Sequence, residues 1–292
     1  MGGLRRPAAL LLLLCLSLTG WLAWGVWTSY DQPLARTFQV RAEGLEAPVR
    51  LAVLSDLHDR RFGGDNQALT ELVSRQEPQL ILLAGDILNS YSQSPDTLLE
   101  LAEALGGTAP VYFAWGNHEL DYVAAGTSGL EEELAALGVT VLEERYVDLN
   151  VSGAELRLGG MYAYAFALDE HNTCDPERMD PDVYRFLTDF QDTDRCTVMI
   201  SHRPDSFVFG EASSTWDIDL VVSGHDHGGQ VVLPWLGGVF GGDQGLFPTY
   251  IHGVYQKDLV TLAVTSGLGS QMERLPRFNN PPEVMILDLI PA

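Results

Sequence analysis

Hydrophobic residues are distributed along this chain in three patterns, and each predicts a different kind of element. Between Pro7 and Tyr30 no charged side chain interrupts the run PAALLLLLCLSLTGWLAWGVWTSY, which follows Arg5 and Arg6. At 1.5 Å per residue a helix of that length spans a hydrocarbon core of about 30 Å. Trp21, Trp24, Trp27 and Tyr30 crowd its far end, where an interfacial aromatic belt belongs. The second pattern is a short apolar run that stops at a small residue followed by polar groups. VRLAVLS stops at Asp56, QLILLA at Gly85-Asp86, PVYFAW at Gly116-Asn117-His118, CTVMIS at His202 and DLVVS at Gly224. These runs read as buried strands. The third pattern has helical spacing. DNQALTELVSRQ places Leu69, Leu72 and Val73 on one face with Asp65 as cap. SPDTLLELAEALGG takes Ser94 or Asp96 as its cap and stops at Gly106, GLEEELAALGV ends at Gly138, and DPDVYRFLTDF is a further helix candidate.

Strands alternating with helices predict an α/β fold. The later runs AELRLGGMYAYA, LVTLAVTSGLG and EVMILDLI read as strands without long helices between them. The expectation is therefore mixed sheets, or two sheets face to face, flanked by helices, behind an N-terminal transmembrane helix. Residues 1–30 form the membrane anchor, 31–48 a polar stem with a first strand at Thr37–Arg41, and 49–292 the body.

Charge narrows the functional classes. The net charge is −23 and the isoelectric point near 4.4, so the body repels polyanions and no nucleic-acid partner is expected. The arginines ahead of the apolar run place the N-terminus inside and the body outside the cytoplasm, as a single-pass protein, although Arg36 and Arg41 weaken the asymmetry. No small-x-small cleavage site follows the run, which favours a retained anchor over a removed signal peptide. Cys174 and Cys196 either pair in an oxidising compartment or stay as thiols.

The candidate chemistry lies where the strands end. Asp56 and His58, Asp86, Asn117 and His118, His202, and His225 and His227 all follow apolar runs, and they include five of the seven histidines. Any one fragment, such as SDLHD or AGD, is most simply a polar turn. Together they supply carboxylate, imidazole and amide oxygen without cysteine, a donor set suited to two divalent ions such as Mn, Fe or Zn and poorly suited to Ca.

The ordered blocks SDLHD, AGD, GNHE, SHRP and GHDH resemble the signature of the calcineurin-like dinuclear metallophosphoesterases, from about Val49 to the chain end. SGHDHGGQ, TSGLGS and NNPPEVMILDL are similar to the membrane-anchored bacterial phosphodiesterase subgroup of that family. The resemblance implies a layered α/β/β/α sandwich. It further implies Asp56, His58 and His227 as ligands of one ion, Asn117, His202 and His225 as ligands of the other, and Asp86 as the bridge. The implied reaction is hydrolysis of a phosphoester, with diesters favoured, by a bridging hydroxide, His118 acting as proton donor or charge stabiliser. Arg60, Arg61 and Arg203 are candidate substrate contacts. Within the enzyme class the alternative is a UDP-2,3-diacylglucosamine pyrophosphatase-like lipid-precursor hydrolase. Outside that class it is a non-catalytic, metal-stabilised binding module at the membrane. Trp235, Leu236, Phe240 and Phe247 lie in a Gly- and aromatic-rich segment after the last ligands, and could touch a lipid-like substrate or the bilayer, or simply fold over the sheet edge. His171 reads as a solvent-exposed loop residue and His252 as a structural one.

Overall fold

The computed structural model describes residues 5–126, 129–167, 175, 178–270 and 276–292; His171 and Cys174 lie outside the described residues. The chain begins with helix α1 (Arg5–Tyr30), whose stretch Ala8–Tyr30 is long and apolar enough to cross a membrane. Side chains from Ala8 to Gly20 are fully exposed, and only from Trp21 onward does the helix touch the body.

Two six-stranded mixed sheets follow. The first runs β1 (Leu34–Ala42), β16 (Glu283–Pro291), β2 (Val49–Leu54), β3 (Leu80–Ala84), β4 (Val111–Ala114) and β5 (Thr140–Val141). The second runs β14 (Gly253–Lys257), β15 (Val260–Val264), β9 (Leu220–Ser223), β8 (Cys196–Ser201), β7 (Ala154–Met161) and β6 (Arg145–Val151). Strands β2 to β5 are parallel, as are β15, β9, β8 and β7, so their carboxyl ends gather at one edge of each sheet.

Three apolar layers hold this together. Leu51, Val53, Leu82 and Met285 of the first sheet meet Leu156, Val198, Ile200 and Val222 of the second, forming the inner core. Outside the first sheet, Leu69 and Val73 of α2 (Gln67–Ser74), Leu98, Leu101 and Leu105 of α3 (Asp96–Gly106) and Leu134 of α5 (Leu130–Ala136) cover Ile81, Leu83 and Phe113. Outside the second, Phe186, Leu187 and Phe190 of α6 (Pro181–Gln191) cover Met199 and Val221. This is the expected α/β/β/α order. Every central strand is buried on both faces, which is why it reads as a continuous apolar run.

The helix starts differ in detail from the sequence reading. Asn66, not Asp65, precedes α2, and its side chain turns inward to accept the Phe62 amide while Asp65 faces solvent. Pro95 precedes α3, and Ser94 donates to Asp96 instead of capping. Asp180 does cap α6, accepting the Asp182 amide. The segment after β9 is more ordered than a loop: it carries two short antiparallel ladders, β10 (Val232–Leu233) with β11 (Gly237–Gly238) and β12 (Phe240–Gly241) with β13 (Gly245–Leu246).

Candidate metal centre

Five parallel strands deliver the candidate ligands to one point. Asp56 and His58 follow β2, Asp86 follows β3, and Asn117 opens helix α4 (Asn117–Ala124) just after β4. His202 follows β8, and His225 and His227 follow β9. The turns are tight: Asp56, His58, Asp86, His225 and His227 all have positive φ, between 46° and 69°. Non-glycine residues adopt that left-handed region at a cost of about 1–3 kcal/mol, and they concentrate where a site demands it. Backbone bonds lock the first-sheet turns together. The Asp56 amide donates to Gly85 O and the His58 amide to Asp86 O. Close approach also needs glycine. A Cβ on Gly116 would overlap the Asp86 carboxylate, and one on Gly224 would overlap Ser55 and the Asp56 carboxylate.

Four donor groups form among the described residues, two of them being His58, Asp86 and His118, and Asp205, His225 and Asp243. Of the other two, the first, Asp56, His58 and His227, presents ligand atoms within 4.8 Å of one another, and so does the second, Asp86, His202 and His225. His58 Nε2 stands 4.0 Å from both Asp56 Oδ1 and Asp86 Oδ2, so Asp86 also faces the first group. The first group is the trio expected from the sequence; the second joins His202 and His225 to Asp86, while Asn117, expected beside them, is placed by its buried, unpartnered Oδ1.

The orientation of the rings decides what they offer. Asn89 Nδ2 donates to Asp59, so Asn89 Oδ1 is the atom facing His58 Nδ1 at 3.2 Å. His58 therefore carries its proton on Nδ1 and leaves Nε2 as a bare lone pair. His202 Nδ1 lies 2.7 Å from Ala84 O, which only accepts, so its Nε2 is likewise directed at the site. His58 Nε2 and Asn117 Oδ1 are buried with no hydrogen-bond partner among the described residues. Such orphaned acceptors cost about 1–3 kcal/mol each unless something positive meets them.

Charge tells the same story. Burial, reinforced by His227, pulls His58 down to about 3. Burial and then Arg277 pull His227 to about 3, while burial and then His202 pull His225 to about 4. His202 is the exception: burial opposes its charge, yet Asp86 Oδ2 at 3.1 Å pushes it up to about 10. Asp86 is correspondingly held below the usual carboxylate range, burial notwithstanding, mainly by His202. Lone pairs on Nε2 and Oδ2 at that distance need a positive charge between them, either a proton or a cation. Oxygen and imidazole donors, orphaned acceptors and that juxtaposition fit a pair of divalent ions.

His118 sits apart from the ligand set in role. Its ring is buried, the Ser90 amide donates to Nδ1 at 2.9 Å, and Nε2 lies 3.8 Å from Asp86 Oδ2. With Nδ1 accepting, the ring proton is on Nε2 and points into the site.

Two of the arginine candidates are engaged in other contacts, and the third, Arg203, stands beside Asp243, which shares a donor group with His225. Arg60 donates to the carbonyls of Ser29, Tyr30, Asp31 and Leu268, closing the C-terminus of α1. Arg61 pairs with Glu100 at 2.7 Å on the outer surface. Arg203 lies 4.3 Å and 3.9 Å from the ring centres of Tyr162 and Tyr164, donates to the Tyr164 hydroxyl and faces Asp243. His252 bonds Glu283 at 2.8 Å beside Arg36, a structural cluster.

Sequence reasoning missed the braces. Fully buried Glu119 accepts the amides of Asp86, Gly116 and Leu88, tying the second and third ligand turns together, and burial followed by the Asp86 charge pushes its carboxyl up to about 7. The signal available in the sequence was the last letter of GNHE, Glu119. Asn280 Nδ2 donates to His227 O at 2.6 Å. Arg277, fully buried, donates to Ser266, Gly267, Gly269 and Pro281 carbonyls and holds that segment in place.

Comparison with known proteins converges on the same centre. The chain is 26% identical over 279 residues to an uncharacterised metallophosphoesterase of Helicobacter pylori, covering 94% of this chain and 69% of that protein. It is 26% identical over 255 residues to the phosphodiesterase YaeI of Escherichia coli, covering 84% and 83%. It is also 25% identical over 234 residues to a bovine transmembrane protein with a metallophosphoesterase domain, covering 78% of this chain and 51% of that one. The family model described as calcineurin-like phosphoesterase matches residues 49–229, which runs from the first strand before Asp56 to just beyond His227 and so contains every residue of the two trios. A match over more than half of the chain makes it a member of the calcineurin-like phosphoesterase family.

Proposed function

We propose that the chain is a membrane-anchored, two-metal phosphodiesterase whose metal-binding body lies outside the cytoplasm. One observation supports it above the others: the Asp86 carboxylate faces both donor trios, 4.0 Å from His58 Nε2 and 3.1 Å from His202 Nε2. Asp56, His58 and His227 would hold one ion, Asn117, His202 and His225 the other, and Asp86 both. Bound there, a pair such as Mn, Fe or Zn supplies Lewis-acid polarisation of phosphoryl oxygens and water activated near neutral pH.

The chain's own groups do the rest. The Asp56 carboxylate accepts the His225 amide, and Asp86 accepts the His118 amide at 2.9 Å, so both carboxylates are aimed before substrate arrives. His118 presents Nε2–H to the reacting phosphoryl group. Because Nδ1 is occupied by the Ser90 amide, the ring acts as a neutral hydrogen-bond donor to developing charge. Helix α1 holds the body at a membrane, in keeping with the transmembrane relative from cattle.

The deciding experiment uses the full chain in detergent with added Mn, assayed on bis(p-nitrophenyl) phosphate and p-nitrophenyl phosphate. Turnover of the diester above the monoester is expected. Stoichiometric metal without turnover of either would favour a binding module.

A further inference from the structure

Among the described residues of the body, the segment after the last ligands gathers the most exposed large apolar side chains. Trp235 is wholly exposed, Leu246 is 70% exposed, and Leu236, Phe247 and Phe240 are also open to solvent. In a chain of net charge −23, the tips PWLGGVF (residues 234–240) and GLFP (245–248) carry no charge. Trp235 and Phe247 have φ of 66° and 54°, a left-handed backbone that favours glycine. Bulky apolar side chains set there, pointing outward, contribute little to the fold. Exposed patches of this kind mark contact surfaces.

What they contact follows from their neighbours. Strand β10 begins at Val232, whose amide donates to Phe278 O, and Asn279 Nδ2 donates to Val232 O. Phe278 in turn packs edge-on against Trp21 of α1 at 5.0 Å, and the Asn279 amide donates to Gly25 O of the same helix. The ladder ending in Trp235 and Leu236 is thus fastened directly beside the helix that is apolar enough to cross a membrane. At its other end the segment walls the metal centre. Gly238 packs on Gly229, Gly242 packs on the His225 ring, and Gln244 donates to Asp226 at 2.6 Å.

We propose that the tips Trp235–Leu236 and Leu246–Phe247 enter the lipid surface beside α1 and turn the metal centre toward phosphoesters carried by membrane lipids. The inference rests on the phosphodiesterase and anchor readings above. Its physical basis is continuity: helix, Phe278, ladder and ligand turns are packed in series, so a body tethered by α1 brings the apolar tips and the open site to the same interface. Uncharged aromatic and leucine tips suit a bilayer boundary, where indole rings are favoured.

The test uses the full chain in phosphatidylcholine nanodiscs, with and without brominated acyl chains. Tryptophan emission of the wild type minus that of Trp235→Ser isolates Trp235, and bromolipid is expected to quench it while aqueous iodide does not. In parallel, the variant carrying Trp235→Ser, Leu236→Ser, Leu246→Ser and Phe247→Ser is compared with wild type on two p-nitrophenyl phosphodiesters. One is water-soluble and the other bears a diacylglycerol within the disc. The variant should keep its turnover of the soluble ester and lose about tenfold in kcat/KM on the anchored one, through KM. Helix α1 still holds it in the disc, and only the alignment of the site with the lipid surface is lost. Quenching by iodide alone, or wild-type behaviour on both esters, overturns the proposal. So does a variant that loses self-association instead, which would assign the tips to a second copy. The readings beneath it fail separately. Absence of bromolipid quenching in Trp235→Ser, which retains Trp24 and Trp27, would remove the anchor. Absence of soluble-ester turnover by wild type would remove the hydrolase.

Discussion

The two sheets bring differently braced ligand turns to the metal centre. The first-sheet turns brace one another. Asp56 and His58 donate their amides to the loop after β3, and Glu119 gathers amides from both the β3 and β4 turns. The second-sheet turns are joined by one backbone bond, from the Gly224 amide to His202 O, and otherwise draw on partners from elsewhere. The His225 amide donates to the first sheet's Asp56, and the His227 carbonyl is held by Asn280, 53 residues further on. The difference is one of degree: more of the first half's bracing comes from neighbouring parallel strands, whereas more of the second half's comes from the opposite sheet and the C-terminal segment.

The sharpest way to break this arrangement is at the residue both halves share. Asp86→Asn keeps the shape, but it removes the charge opposite His202 and the oxygen common to both trios. Activity on bis(p-nitrophenyl) phosphate should fall by about 10³-fold, with less than full metal content by elemental analysis. Wild-type turnover in this variant would refute the bridging role.

His118→Gln should leave the metal content intact and lower kcat by about 10²-fold. The comparison of leaving groups carries the information. A neutral donor whose Nδ1 is occupied by the Ser90 amide stabilises charge without surrendering its proton, so the loss should be similar for nitrophenyl and alkyl esters. A loss confined to alkyl esters would make it a proton donor instead.

Bracing can be probed on each side. Asn89→Ala frees His58 to change tautomer and should weaken metal binding by about 10–100-fold, with the fold otherwise intact. Asn280→Ala releases the His227 carbonyl and should weaken binding of the same ion while also lowering Tm, because Asn280 additionally accepts from the buried Arg277 and bonds Gln230. Equal effects of the two variants on Tm would erase the proposed distinction between a more locally braced and a more assembled half.

That distinction also explains what the sequence disclosed. The seven candidate donors were legible only jointly: each follows an apolar run that ends abruptly, which singly reads as a polar turn, and five such endings in order carry the signal. The edge strands β6 and β14 were not read: RYVDLNV does alternate Val147, Leu149 and Val151 with Asp148 and Asn150, but over a face only half buried, and GVYQK is too short and polar to show a period. The cap of α2 was misplaced by one residue because Asp65 and Asn66 are equivalent as capping types, and only burial of Asn66 separates them. Asn280 and Arg277 act on carbonyls brought near by folding, so no spacing in the chain announces them.

The last effect joins the two halves through a single proton, and per pH unit it is the mildest. Without a cation, His202 of the second sheet holds its proton against Asp86 of the first, and its value is raised from 6.5 to about 10. That ion pair stabilises the metal-free fold fully below pH 6.5 and is lost as pH rises through about 10. Metal loading requires the same proton to leave, so affinity should rise about tenfold per pH unit between these limits. His58, His225 and His227, already neutral with values of about 3, 4 and 3, add no further slope there. The gap in Tm between Mn-loaded and chelated protein should therefore widen with pH, and calorimetric titration in buffers of different ionisation enthalpy should register about one proton released. A flat profile would mean that the proton does not reside between the sheets. Asp86 and His202 would then be held together by packing alone.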